Sequence, residues 1–264
     1  MAKTARIPVG NPLLTMSFPP TSSNYYTGPG GIGWAKGRVT TKGLALISGM
    51  LGDGKDFTAS LSLSATNQAI VWLTPYKMKA SYFGGIIDLG DLGAADRGAD
   101  AVFATTGLKW WRLPDTTEVS YPAGFITQFF TAKASRWFQP SNAEALAQSL
   151  GLDFRAFTAT YTTPSHEVLP DRLSQQDHLS LRDNYTWLHI TPVSVTPFTG
   201  RAFSTNGTFV GNLTLPAPAA KSAVLGVFLQ DQSFGKVIGQ GLVKVPITGT
   251  VKGAFRTIGV TLGN

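Results

Sequence analysis

Phe57-Thr58-Ala59-Ser60-Leu61-Ser62-Leu63 alternates apolar and hydroxyl-bearing side chains at a period of two. Successive side chains of an extended strand leave opposite faces, so this stretch reads as a half-buried β-strand. Working outward, residues 69–73 are a brief apolar run that predicts a buried strand, and residues 125–130 and 154–161 are rich in aromatic and β-branched side chains. Ala202-Phe203-Ser204-Thr205 and Thr208-Phe209-Val210 flank Asn206-Gly207, which predicts a two-residue type I′ hairpin turn. Residues 223–229 and 236–245 flank Asp231-Gln232-Ser233-Phe234-Gly235 and predict a hairpin with a longer loop. Ile258, Val260 and Leu262 alternate in the last run. Ser141 with Glu144 reads as a capping box ahead of the helix formers 143–150, with Gly151 as the stop. A second short helix is predicted over 171–179, after Pro170.

Residues 1–40 read differently. Pro8, Pro12, Pro19, Pro20 and Pro29, with Gly28, Gly30, Gly31 and Gly33, disfavour regular structure. Yet Leu13, Leu14, Phe18, Tyr25, Tyr26 and Trp34 are too apolar for a free tail, so an extended arm lying on a surface is expected. The domain reading is an arm over 1–40 and a body over 41–264. The fold class expected is mainly β: an antiparallel β-sandwich or jelly roll with an extended N-terminal arm and one or two short helices in loops. No repeat of 20–50 residues is visible, which argues against solenoids and propellers.

Charge is scarce. Only 14% of the 264 residues are charged, against about 25% in an ordinary soluble domain. With 43% hydrophobic residues the chain is not of the disordered class, and with no Cys it has neither disulfides nor thiolate chemistry. Lys3, Arg6, Lys36, Arg38 and Lys42 stand without an acid in residues 1–52; residues 53–200 sum to −3 and residues 201–264 to +5. The basic ends make those five side chains candidates for contact with a nucleic-acid backbone. No stretch approaches the roughly 18–20 apolar residues of a membrane span. The basic start is followed by Pro8, Gly10 and Pro12 rather than an apolar core, so a secretory leader is not expected.

No catalytic motif emerges, and a non-enzymatic protein without a cofactor is expected. Gly28-Pro29-Gly30-Gly31-Ile32-Gly33 lacks the Gly-Lys-Ser/Thr of a phosphate loop, and Pro29 removes a backbone donor. His166, His178 and His189, with Asp177 among nearby carboxylates, are the weak candidates for a divalent metal. Asp88, Asp91, Asp96 and Asp100 read as a solvated acidic loop, and Asp53 and Asp56 beside Gly52 and Gly54 as turn residues. Trp110 and Trp111, adjacent on a strand, point to opposite faces, and an exposed one could stack on a sugar or a base.

In layout and composition the chain resembles the jelly-roll coat proteins of icosahedral viruses and bacteriophages. The shared features are an apolar Pro/Gly arm, a Cys-free β body, low charge and basic ends; there is no diagnostic motif and no dense Arg/Lys cluster. The resemblance implies a structural virion protein made in a host cytoplasm and located in the virion. It would self-assemble into a capsid of many copies, with Pro8, Leu13, Leu14, Phe18, Tyr25, Tyr26 and Trp34 as the subunit-contact arm and encapsidated nucleic acid as partner. The alternatives are a β-sandwich glycan-binding module or a metal-dependent enzyme using the segment from His166 to His189.

Overall fold

Phe57 and Leu61 point inward while Thr58, Ser60 and Ser62 face out, as their spacing requires. A computed structural model of the protein describes residues 12–19, 29–78, 80–89, 105–162, 176–190, 197–214, 221–230, 236–246 and 253–263. The first half contains β1 (Leu13–Phe18), β2 (Gly33–Val39), β3 (Leu44–Met50), β4 (Asp56–Ser62), β5 (Gln68–Leu73), β6 (Tyr82–Asp88), β7 (Thr105–Arg112) and β8 (Phe125–Trp137). A helix, α1 (Ala143–Ser149), and a tight turn over Asp153–Arg155 lead into the second half. There follow β9 (Ala156–Thr162), β10 (Gln176–Leu181), β11 (Trp187–His189), β12 (Phe198–Phe203), β13 (Thr208–Thr214), β14 (Lys221–Phe228), β15 (Val237–Pro246) and β16 (Phe255–Gly263).

The strands form two antiparallel sheets, ordered β4-β3-β2-β1-β8-β7-β6-β5 and β11-β10-β9-β16-β15-β14-β13-β12. In each, strands lie beside their sequence neighbours, and the half's first strand pairs with its last. Each order is therefore a ring opened at one seam, between β4 and β5 or between β11 and β12. The mainly β, antiparallel, sandwich-like class is as expected. Within each sheet the order is that of a meander, consecutive strands lying side by side.

Each sheet curls around its own core. Leu14, Met16, Phe18, Ile47, Phe57, Val71, Phe83, Leu108 and Trp110 belong to the first; Phe157, Leu179, Trp187, Phe198, Phe209, Val243 and Val260 belong to the second. The two core clusters divide between Ala134 and Trp137. Leu13–Phe18, expected in an arm, is the central strand of the first sheet, paired with both β2 and β8. Its inward side chains Leu14, Met16 and Phe18 fill the first core, and Leu13 packs on the second. Its other face carries Thr15 and Ser17, both buried, so the strand is covered on both sides.

The halves meet through small and polar groups. The Ser17 hydroxyl donates to Gln240 Oε1 at 2.8 Å, and the Ser135 hydroxyl accepts from the Gln230 N–H at 3.1 Å. Tyr121 Oη meets Thr257 Oγ1 at 2.8 Å, and Gln230 binds both the N–H and the C=O of Phe138. Gly207, at φ +70°, sits where a Cβ would strike Thr15 and Trp137.

Local details differ from the sequence reading in four places. Asn142, not Ser141, caps α1, its side chain accepting from the Ala145 N–H, while Gly151 follows the helix at φ +67° as the stop signal requires. Gln176–Leu181, the end of the expected second helix, is a strand whose Asp177, Leu179 and Leu181 turn inward; residues 171–175 lie outside the described residues. The β12–β13 hairpin pairs Phe203 with Thr208, so its loop has four residues rather than two. Residues 69–73 are not buried throughout: exposed and buried side chains alternate along β5.

Candidate binding face

The outer surface of β5, β6 and β7 carries apolar side chains that no described residue covers. Ile70 is 74% exposed, Trp72 62%, Ile86 54% and Trp111 38%. The register gathers them: Ile70 lies opposite Ile86, Trp72 opposite Gly84, and Tyr82 opposite Trp111. Gly84 has no side chain, which lets the Trp72 ring lean across it. Trp72 then stacks on Tyr82 with centroids 4.3 Å apart and planes 14° apart. Gly107, at φ +99°, sits where the β7–β8 register shifts, an extra residue that adds local twist beside the face. Contiguous exposed apolar surface on a folded domain marks an interaction site far more often than scattered single residues do.

The surroundings are nearly neutral. Gln68 donates to Asp88 at 3.0 Å at one end, and Lys109 is the exposed cation on β7. Beyond the seam, β3 and β4 turn Leu46, Ser48, Thr58 and Ser60 toward a groove on the outer surface.

Beneath this face the end of the first core is closed by a buried polar network. Asp53 Oδ2 accepts from Arg112 at 2.7 Å and from the Tyr76 hydroxyl at 2.9 Å, and Trp110 Nε1 donates to Tyr76 Oη at 2.9 Å. Arg112 also donates to the Ser120 carbonyl and lies 4.9 Å from the Tyr76 ring centre. Burial lifts the Asp53 carboxyl above its ordinary range, with the Arg112 charge as the strongest opposing influence. Burial, and then the Asp53 charge, raises the Tyr76 hydroxyl well above the ordinary tyrosine range. Asp53 does make the expected turn contact, accepting from the Lys55 N–H, but its other oxygen serves this interior network. Every strong donor here is matched, so the network's work is to hold three loops together.

Trp110 and Trp111 do point to opposite faces: Trp110 fills the core and Trp111 stands outside. The metal candidates do not converge. Asp177 turns inward, where the Tyr161 hydroxyl donates to it at 3.2 Å, while His178 projects outward toward Thr158. His189 pairs with Leu179 on the edge strand, His166 lies outside the described residues, and no metal-holding group of three His, Asp or Glu gathers among the described residues. Of the basic candidates, Lys36 and Arg38 share the outer face of β2 with Trp34, and Lys42 is exposed in the following turn. Lys3, Arg6, Pro8, Tyr25 and Tyr26 lie outside the described residues. Leu14 and Phe18 are buried in the first core and unavailable to a neighbour. The sequence reading missed Ile70, Trp72, Tyr82 and Ile86; the signal was a strand apolar on both faces at a position where only one face is covered. No helix among the described residues is long and apolar enough to cross a membrane. No family model, curated protein or solved structure matches the chain.

Proposed function

We propose that the chain is a non-catalytic binding module that takes a neutral glycan on the outer face of β5–β7. The observation that carries this reading is the exposed Trp72 and Trp111 with the half-buried Tyr82 stacked on Trp72, held on hydrogen-bonded strands and flanked by Ile70 and Ile86. Flat rings fixed on a sheet offer the apolar C–H faces of sugar rings a large contact with little loss of side-chain freedom. Nucleic acid would call for several cations tracking a backbone, and this face has Lys109 alone among its exposed strand residues. Leu13–Phe18 adds nothing to a virion-shell reading, since it pairs on both sides within the first sheet.

The test is electrophoresis through gels containing β-1,4-glucan, β-1,3-glucan, chitin derivatives or heparin, with tryptophan fluorescence titration by the matching hexasaccharides. Retardation by a neutral polymer is expected, abolished by Trp72→Ala and weakened by Trp111→Ala. Retardation by heparin alone, or by no polymer in the panel, overturns the reading.

A further inference from the structure

We propose that the free edge of β5 pairs antiparallel with the same strand of a second copy, making a two-fold dimer in which the two outer faces become one sheet. This does not rest on the glycan reading, although it would double that face. β5 bonds along one side to β6 in an unbroken register from Gln68–Asp88 to Leu73–Phe83; on its other side Gln68 is held by the Ser64 turn that leads in from β4, and residues 69–73 are the edge of the sheet. β4, across the seam, forms no ladder with it among the described residues.

The second half shows how a seam is closed when it is closed. There Thr186 bridges Arg201, the Ala202 N–H donates to the Tyr185 carbonyl, and the edge strand β11 is only three residues long. Its other edge, β12, follows Pro197 and turns Arg201 to solvent. Short strands, prolines and outward charges are the devices that keep an edge from pairing. β5 reads Gln-Ala-Ile-Val-Trp-Leu and has none of them.

The side chains select the register. With Val71 on the two-fold axis, Ile70 faces the partner's Trp72 on the outer side, and Ala69 faces the partner's Leu73 on the inner side. Aromatic against β-branched is a favourable cross-strand pair. An axis at Ile70 would instead set Gln68 against Trp72. A two-fold contact uses the same edge on both copies and closes on itself, so dimers are expected rather than filaments. One short strand pair buries little area, which places the association at the weak, concentration-dependent end.

Sedimentation velocity over a hundredfold concentration range should show a monomer–dimer equilibrium, shifted to monomer by Ile70→Lys with an unchanged thermal melt. The chain has no Cys, so introduced thiols report geometry directly. Ile70→Cys and Trp72→Cys, mixed and mildly oxidised, should give a disulfide-linked dimer. Either variant alone should not, because like positions lie two residues out of register and Cα atoms more than about 7 Å apart cannot be bridged. A monomer at every concentration, a dimer that persists in Ile70→Lys, or equal cross-linking in the unmixed variants overturns the proposal. Trp111→Ala should weaken glycan retardation and keep the dimer, and a monomer that a neutral polymer still retards overturns the dimer alone, so the two proposals fail separately.

Discussion

The two halves share a ring-like strand order, yet they finish their interiors with opposite chemistry. The first is closed by Asp53, Arg112, Tyr76 and Trp110, a charged pair that is acceptable inside only because each member has partners. The second is covered by α1, whose Ala143, Leu146 and Ala147 join its core. A polar closure demands several groups in place at once, whereas a helix needs only an apolar stripe on the right side. The outer faces diverge as well. β5 turns Ile70 and Trp72 to solvent, while β12 turns out Thr199 and Arg201. One architecture thus carries a surface suited to contact in one half and a solvated surface in the other.

That contrast can be broken by substitution. Arg112→Ala should have the largest effect, about 3–5 kcal/mol lost in urea unfolding, because Asp53 stays buried without its counter-charge. Replacing both with Leu should cost less than either single change to Ala; additive costs would show that the pair is not a coupled unit. Leu146→Ala should cost about 2–5 kcal/mol through the cavity it leaves, with no coupling to Arg112→Ala. If the helix were a mere surface excursion, the loss would fall below 1 kcal/mol, the usual range for exposed sites.

Alkaline pH reaches both halves through Tyr76 and Tyr161, whose hydroxyls are raised by burial and by a neighbouring carboxylate. A raised folded value means that the folded state holds the proton more tightly. The related stability is complete below the unfolded tyrosine value of about 10 and is lost as pH climbs above it, by up to about 1.4 kcal/mol per pH unit per tyrosine. Tyr161→Phe should flatten that decline in melts taken above pH 10, and an unchanged slope would rule Tyr161 out as its source. The smallest effect should come from Trp72→Ala, within about 0.5 kcal/mol of the parent, since it removes an exposed ring rather than a core contact. A larger loss would recast the face as structural.

Much of the fold was legible where local pattern suffices. The alternation at 57–63 and at Ile258, Val260 and Leu262, and the stop at Gly151, are short-range signals that the structure follows. Where two tendencies competed locally, the sequence reading went astray: Pro and Gly around Leu13–Phe18 suggested an arm, and the apolar run at 69–73 suggested complete burial. The candidate face was half legible. Opposite orientations for Trp110 and Trp111 follow from strand geometry, but Trp72 and Tyr82 meet only because β5 and β6 pair in one register. Asp53 looked like a turn residue because Gly52 and Gly54 flank it, while its buried partners Tyr76 and Arg112 lie 23 and 59 residues away.

By itself the sequence determined the β class, the low charge and the absence of thiol chemistry, since these follow from composition and from a period of two that any strand must obey. Tertiary structure alone decided that there are two curled sheets, that the apolar N-terminal segment lies at the centre of one, and that β5 leaves an edge and one apolar face uncovered. Periodicity tells which side chains share a face; only the pairing of distant strands tells whether anything covers that face.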